Sequence, residues 1–263
     1  MPEGHTIHRL ARDHRMWFAG RRVVVTSPQG RFDAAPGLDG SRLEDTEAFG
    51  KHLLYRFSRG RWIHIHLGLF GRLTTSATPK APPRDTVRLR LANRDWYADL
   101  VGPTRCALID AADRAELLAR LGPDPLRAES RPSAAWARIS HSDQPIAALL
   151  MDQRVLAGVG NVYRAELLYR SGLDPHLPGR ELREEQWLEL WEDLRRLMRA
   201  GVRANRIVTT RRNDRERVTG RVRSEDATYV YGRADEPCRV CGTLVRVTDL
   251  MDRRLYWCPT CQN

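Results

Sequence analysis

The chain of 263 residues has no uninterrupted apolar run near the ~20 residues that a membrane-spanning helix needs, so a membrane protein is not expected. Its opening, Met1-Pro2-Glu3-Gly4-His5, lacks the basic and apolar stretches of an export leader, which makes a cytoplasmic location the expectation. Internal repeats and low-complexity tracts are also missing, so a solenoid or a compositionally biased chain is not indicated. Lysine is almost absent. Of 44 basic residues only Lys51 and Lys80 are lysines. An ammonium is a compact point charge and a guanidinium a planar fork, so a retained lysine can mark chemistry that demands one over the other. Lys80 falls in Pro79-Lys80-Ala81-Pro82-Pro83, which reads as an exposed loop, whereas Lys51 adjoins a strand. Cysteine is scarce too. Cys106 stands alone and reads as a small buried apolar residue; the other four form two pairs near the C-terminus.

What is present in excess is positive charge. The 44 basic against 33 acidic residues give +11 and a pI of about 10.1, a balance that suits a polyanionic partner. The bland alternative is a basic, solvated surface. A basic membrane-surface helix fits less well, because the charge is spread along the chain. At 41% hydrophobic residues, ordinary cores can form.

Periodicity changes along the chain. Ile7, Leu10, Ala11, His14 and Phe18 fall at helical spacing over 5–19, with Gly20 as a stop. Residues 23–25, 52–57, 62–67, 87–91, 96–100 and 106–109 read as short strands, which suggests a sandwich or barrel. Gly122-Pro123-Asp124-Pro125 punctuates the sequence, and beyond it the period is helical. Helices are expected over 146–156 and 162–171, flanking Ala157-Gly158-Val159-Gly160-Asn161. A third, amphipathic helix over 183–200 carries Trp187, Leu190, Trp191, Leu194, Leu197 and Met198 on one face. Residues 211–226 are polar and read as a mobile loop.

Three motifs carry chemistry. Cys238-x2-Cys241-x16-Cys258-x2-Cys261 has knuckle spacing that can offer four thiolates tetrahedrally to one structural Zn²⁺; two disulfides are the alternative, disfavoured in a reducing compartment. Between the knuckles a hairpin is expected, with Asp252-Arg253-Arg254 near its turn, so that an arginine could be aimed at a phosphate. In the glycine turn, close backbone approach and the start of the following helix could hold a phosphate, with Asn161 adding an amide; an ordinary helical hairpin with Asn161 as N-cap is equally compatible. Finally, removal of Met1 would expose the secondary amine of Pro2. An α-amine has a reference pKa near ~7.7–8.0, and the positive end of the first helix should lower it and favour an ionised Glu3. An amine nucleophile beside a carboxylate is a Schiff-base arrangement, although an N-terminal Pro-Glu pair can equally be frayed chain.

Taken together and in order, Pro2-Glu3-Gly4, Gly50-Lys51-His52-Leu53-Leu54, Leu156-Ala157-Gly158-Val159-Gly160-Asn161-Val162-Tyr163 and Tyr256-Trp257-Cys258-Pro259-Thr260-Cys261-Gln262 resemble the formamidopyrimidine-DNA glycosylase and endonuclease VIII family from end to end. The resemblance implies an α+β protein: an N-terminal β-sandwich with a leading helix over 1–122, a helix-two-turn-helix domain over 123–228 and a four-cysteine zinc-finger β-hairpin over 229–263. It implies Pro2 as nucleophile, Glu3 as general acid/base, Lys51 and Asn161 as phosphate contacts, and Arg253, with Arg254 as its neighbour, as the zinc-finger arginine. Leu69 and Phe70, in His66-Leu67-Gly68-Leu69-Phe70-Gly71, match residues that wedge into the gap left by an everted base; the alternative for them is core packing at a strand end.

The chain departs from the family pattern in two places. Thr6 replaces a second early glutamate, and Asp99-Leu100-Val101-Gly102-Pro103-Thr104 stands where the formamidopyrimidine branch has arginine and phenylalanine. The second departure favours the endonuclease VIII branch. His64 and His66 share a strand face, but no third ligand is evident, so they read as structural. The implied protein is a monomeric, nucleoid-associated glycosylase and lyase acting on double-stranded DNA with damaged bases or abasic sites, preferring oxidised pyrimidines. Rival expectations are an 8-oxoguanine enzyme of the formamidopyrimidine type, a non-catalytic damage-binding protein on the same scaffold and a zinc-ribbon RNA-binding protein.

Overall fold

A computed structural model describes residues 2–78, 82–215 and 219–263, so Lys80 and part of the 211–226 segment lie outside the described residues. The chain forms two compact units, Met1–Arg120 and Leu121–Asn263.

In the first unit, helix α1 (Gly4–Phe18) packs on a two-sheet sandwich. Strands β1 (Arg21–Arg22), β3 (Arg42–Phe49), β4 (His52–Phe57), β5 (Arg61–His66) and β9 (Arg105–Ile109) form one antiparallel sheet in the order β1-β3-β4-β5-β9. Strands β2 (Val24–Thr26), β7 (Val87–Ala92), β8 (Trp96–Val101) and β6 (Arg72–Ala77) form the other, in the order β2-β7-β8-β6. The short helix α2 (Ala35–Leu38) closes the β2–β3 connection, and α3 (Ala111–Ala119) follows β9. Strand alternation decides what packs where. Leu53, Tyr55 and Phe57 of β4 join Ile63, Ile65, Leu89, Leu91, Leu100 and the α1 residues Ile7, Ala11 and Phe18 in the core between the sheets. Leu54 and Trp62 face the other way, with Ile109 and Leu117 of α3. The first sheet is therefore buried on both sides, which is why 52–57 is nearly uniformly apolar.

Three strands escape the periodicity, the two-residue β1 and the longer β3 and β6. In β3 the register shifts between Leu43 and Asp45, and the inward Thr46 is polar; its hydroxyl donates to the Ala11 carbonyl at 2.5 Å. A bulge and a satisfied hydroxyl erase the alternation that a sequence reading needs. β6, at the edge of its sheet, is largely exposed and shows little apolar signal. His14 bridges α1 to both sheets. Its Nδ1 lies 2.6 Å from the Tyr55 hydroxyl and its Nε2 2.8 Å from the Thr75 hydroxyl. Burial holds its pKa down at about 4, so it is neutral inside the fold.

The second unit is built from α4 (Pro132–Ile139), α5 (Ile146–Leu149), α6 (Asn161–Arg170) and α7 (Glu184–Ala204), with the hairpin of β10 (Arg246–Leu250) and β11 (Arg253–Trp257). The helix expected over 146–156 is only four residues long. Beyond it the chain turns, with the Asp152 carboxylate accepting from Arg154 N at 2.9 Å. Helix α7 presents the expected face, and Trp187, Leu190, Trp191, Leu194, Leu197 and Met198 join Leu149, Leu156, Tyr163 and Leu168 in a single core that also takes Leu255 of β11. Among the described residues no helix is long and apolar enough to cross a membrane.

Candidate functional site

The first unit gathers its candidate residues at one end of the five-stranded sheet. Helix α1 runs antiparallel to β3, as two contacts show: Thr46 Oγ1 to the Ala11 carbonyl, and Arg15 Nε to Asp45 Oδ1 at 2.6 Å. The start of α1 therefore lies toward the Phe49 end of β3. Glu3 is the N-cap residue of α1 and fully buried; its carbonyl accepts from Thr6 N at 2.9 Å, and Pro2 is half-buried beside it. The N-terminal pair is thus built into the fold rather than frayed.

At the same end β3 turns into β4 through Gly50 and Lys51. Gly50 has φ 57, in the left-handed region that glycine enters without cost, and Lys51 is half-buried. Across the ladder His52 pairs with His66. His52 Nδ1 lies 2.8 Å from His64 Nε2, and His66 Nδ1 lies 2.8 Å from the Thr104 hydroxyl. Burial, with neighbouring imidazoles and the charges of Lys51 and Arg105, pushes His52 down to about 3. Burial, then Lys51, lowers His66. His64 is held at about 4 by burial and by Arg105 and His66. His52 and His64 are thus neutral and hydrogen-bonded to each other beside the lysine, and the His66 ring lies against His52 with centroids 5.0 Å apart. His52 was not singled out from the sequence, although its place directly across a hairpin from His66 could have been read there.

β5 leaves this end as a tight loop over residues 67–71, closed by Gly71 N donating to the Leu67 carbonyl at 3.0 Å. A Cβ on Gly71 would sit 2.2 Å from that carbonyl oxygen, and one on Gly68 would sit 2.3 Å from Thr104 Cγ2. Both glycines are sterically required. The loop projects its two apolar side chains outward, Leu69 42% and Phe70 86% exposed. Core packing, the alternative for this pair, is therefore corrected: the tight turn leaves them no interior to enter. The loop is braced by the short β8–β9 connection, where Thr104 N donates to the His66 carbonyl at 3.0 Å.

In the second unit Asn161 is the first residue of α6 and Gly160 is its N-cap, so the N-cap reading of Asn161 is also corrected. The Asn161 amide instead donates to the Arg254 carbonyl at 2.9 Å and accepts from Arg164. This contact fastens the helix start to the hairpin. Arg253 and Arg254 are both exposed and open β11 directly after a two-residue turn of Met251 and Asp252, whose φ values are 51 and 57.

The four paired cysteines are free thiols whose sulfurs all lie within 4.8 Å of one another. The close pairs come from opposite knuckles: Cys238 to Cys261 at 3.9 Å and Cys241 to Cys258 at 3.5 Å. A tetrahedral zinc with Zn–S near ~2.3 Å separates its sulfurs by about 3.8 Å, so the cluster fits such an ion. Among the described residues this is the only group of three or more such side chains close enough to hold a metal. Its surroundings are ordered by residues that the sequence reading missed. The Tyr169 hydroxyl lies 3.1 Å from Cys238 Sγ. Gln262 accepts from Cys258 N at 2.9 Å and donates to the Leu173 carbonyl at 3.0 Å. Glu166, fully buried, accepts from the backbone N–H groups of Tyr229, Val230 and Tyr231 at 2.7, 2.8 and 2.8 Å, and from the Thr209 hydroxyl. A glutamate and a tyrosine three residues apart on α6, in a helix that is buried along most of its length, were the available signal. The segment flanking residues 216–218 is tied down as well: the Tyr229 hydroxyl accepts from Arg211 N at 2.8 Å and donates to Asp214.

Comparison with known proteins places these features in a family context. Residues 1–106 match the formamidopyrimidine-DNA glycosylase N-terminal domain and residues 121–213 the formamidopyrimidine-DNA glycosylase H2TH domain. The chain is 48% identical over 268 residues to a Mycobacterium tuberculosis protein named endonuclease 8 1, covering 100% of both. It is 33% identical over 265 residues to the Mycolicibacterium smegmatis DNA-(apurinic or apyrimidinic site) lyase Nei2, covering 100% of this chain and 99% of that one. In fold it is similar to Lactococcus lactis Fpg in complex with abasic-site DNA, with a TM-score of 0.80, 20% identity and 99% of each chain covered.

Proposed function

Since the chain belongs to the formamidopyrimidine-DNA glycosylase and endonuclease VIII family, on its endonuclease VIII branch, we propose that it is a bifunctional DNA glycosylase and abasic-site lyase that removes oxidised bases, pyrimidines above all. The observation that carries this reading is the convergence at one end of the first unit's sheet: Pro2 beside the buried Glu3, Lys51 on the β3–β4 turn, and the outward Leu69 and Phe70.

With Met1 removed, the Pro2 nitrogen attacks C1′ of the damaged nucleotide. The glycosidic bond breaks toward the base, which leaves with a proton. Glu3 delivers a proton to the ring oxygen as the sugar opens, leaving an iminium between Pro2 and C1′. Loss of a C2′ proton expels the 3′ phosphate, and a second elimination expels the 5′ phosphate. Lys51, Asn161 and Arg253 are the proposed phosphate contacts, so binding weakens steeply with salt. Asn161 brings a constraint to this role, because its amide already donates to the Arg254 carbonyl.

Phe70 and Leu69 fill the space left by the everted base. The β8–β9 connection, Gly102-Pro103-Thr104, is short and carries neither arginine nor aromatic residue to read the opposite base. An apolar wedge offers no hydrogen bonds to a base edge, so discrimination by opposite base is weak. Poorly stacked oxidised pyrimidines, which cost least to evert, are then favoured. One Zn²⁺, held by Cys238, Cys241, Cys258 and Cys261, supplies rigidity to the hairpin and no open coordination position for chemistry. We further propose that the second unit comprises a DNA-binding helical domain over 123–228 and the finger over 229–263.

The test is borohydride trapping on abasic-site and thymine-glycol duplexes. Processed protein is expected to form a covalent adduct and protein retaining Met1 none. Undiminished trapping in the unprocessed chain would overturn the Pro2 assignment. Faster removal of 8-oxoguanine than of thymine glycol would overturn the pyrimidine preference.

A further inference from the structure

The candidate residues of the first unit occupy one end of its sheet. At the other end lies a cavity of about 500 Å³. Two elements connect the ends. Helix α1 spans 15 residues, about 22 Å, before reaching the cavity wall at Gly20. Strand β4 spans six residues, about 20 Å, between Lys51 and Ser58. The cavity is therefore a separate feature and not an extension of the candidate site.

Four arginines line it: Arg22, Arg42, Arg59 and Arg61. Among the described residues none of the four forms an ion pair, whereas their neighbours Arg21 and Arg56 are paired with Asp95 and Glu44. Two of the guanidinium groups are preset by backbone contacts. Arg22 donates to the Gly40 carbonyl at 2.9 Å, and Arg61 donates to the Gly37 carbonyl at 2.8 Å and to the Ser58 carbonyl at 3.2 Å. The one carboxylate in the wall, Asp39, already accepts from Val25 N at 2.9 Å. Arg42 and Arg59 are exposed. The remaining lining is glycine and serine, with no aliphatic or aromatic side chain.

This composition selects a ligand class. Planar forks recognise phosphate bidentately and retain their charge at any physiological pH. A cavity of this volume exceeds what a lone anion fills and falls in the range of small-molecule sites. The absence of an apolar wall removes any platform for a stacked base and any anchor for a peptide side chain. We propose that the cavity binds linked phosphate groups, supplied either by free polyphosphate or by the sugar–phosphate backbone of a nucleic-acid strand other than the one at the candidate site. This inference stands independently of the proposed catalysis.

The probe is inorganic tripolyphosphate, titrated calorimetrically into the full-length protein and into an Arg42→Ser/Arg59→Asn double variant. Both residues are exposed and carry no backbone contact of the kind that Arg22 and Arg61 make. Asparagine also tolerates the left-handed conformation of Arg59, at φ 64, so the fold is preserved. Saturable binding is expected in the parent protein, weakened at least tenfold in the double variant, with melting temperature and excision from a short duplex unchanged. A lesion-free single-stranded oligonucleotide that displaces the tripolyphosphate identifies a nucleic-acid backbone as the ligand; failure to displace it identifies free polyphosphate. No binding, or equal binding by both proteins, overturns the proposal.

Discussion

Replacing Phe70 by alanine separates the proposed wedge from ordinary packing, because the two make opposite demands on the same side chain. At 86% exposure Phe70 contributes little to the core, so its truncation should change stability by no more than about 0.5 kcal/mol. Leu67, three residues earlier and 3% exposed within the sandwich core, provides the contrast: its truncation should cost about 2–5 kcal/mol. A ring that stacks on a base contributes about 1–3 kcal/mol. If Phe70 fills the vacated space, its loss should slow single-turnover excision of thymine glycol from duplex DNA by about 5- to 140-fold. The same lesion in a single strand leaves no hole in a duplex, and there the variant should match the parent. The assay is thus excision on both substrates, with thermal unfolding of each protein alongside. Equal loss on duplex and single strand, or a loss accompanied by a core-sized fall in melting temperature, would refute the wedge.

Other outcomes follow from the same geometry. Glu3→Gln should retain DNA binding yet lose excision of intact lesions, with less effect on preformed abasic sites; equal activity on both would remove the proton-transfer role. Metal analysis should find about one zinc per chain, and Cys238→Ser should lose both the metal and tight DNA binding, because the hairpin carrying Arg253 is then no longer held; a metal-free protein with full activity would contradict this. Stability of the first unit should depend on acid. His14 is held at about 4 against an ordinary value of 6.5, so below 6.5 the unfolded chain binds a proton that the folded one refuses. The stabilisation is complete above pH 6.5 and declines as pH falls toward 4, by about 3 kcal/mol for this residue alone. Denaturant unfolding from pH 7 to 4 measures it, and a profile that His14→Gln leaves equally steep would rule out His14 as the source.

Much of the architecture was legible because periodicity and punctuation agreed. The α7 stripe and the knuckle spacing survive intact, and β4 and β5 read as strands because both faces of their sheet are apolar. Reading failed where polar groups were satisfied internally. Thr46 spends its hydroxyl on a helix carbonyl, and β3 disappears from the pattern. The turns after α5 depend on Asp152 accepting from a backbone N–H two residues on, a local bond that competes with helix. In the candidate site, the candidate residues could be named from the sequence, but the partners that hold them could not. Leu69 and Phe70 carry nothing in their own chemistry that announces exposure, which follows from Gly68 and Gly71 leaving no room for a wider loop. Asn161 could be marked as special, but its grip on the Arg254 carbonyl joins positions 93 residues apart, beyond the reach of spacing. Sequence separation also hid Glu166, whose partners lie 43 to 65 residues downstream.

The hairpin tip has a consequence for how the finger keeps its shape. Met251 and Asp252 both sit in the left-handed region, where a two-residue turn favours asparagine and glycine, and where an ordinary residue is held at a cost of about 1–2 kcal/mol. Aspartate tolerates this conformation, but Met251 does not prefer it by itself. The conformation is borrowed from the ladder between β10 and β11, from Leu255 seated in the helical core and from the Asn161 amide on the Arg254 carbonyl. A peptide cut from the finger would therefore lose the bend, however well its thiols gathered a metal. The place of Arg253 in the fold belongs to the whole second unit and not to the segment that carries it.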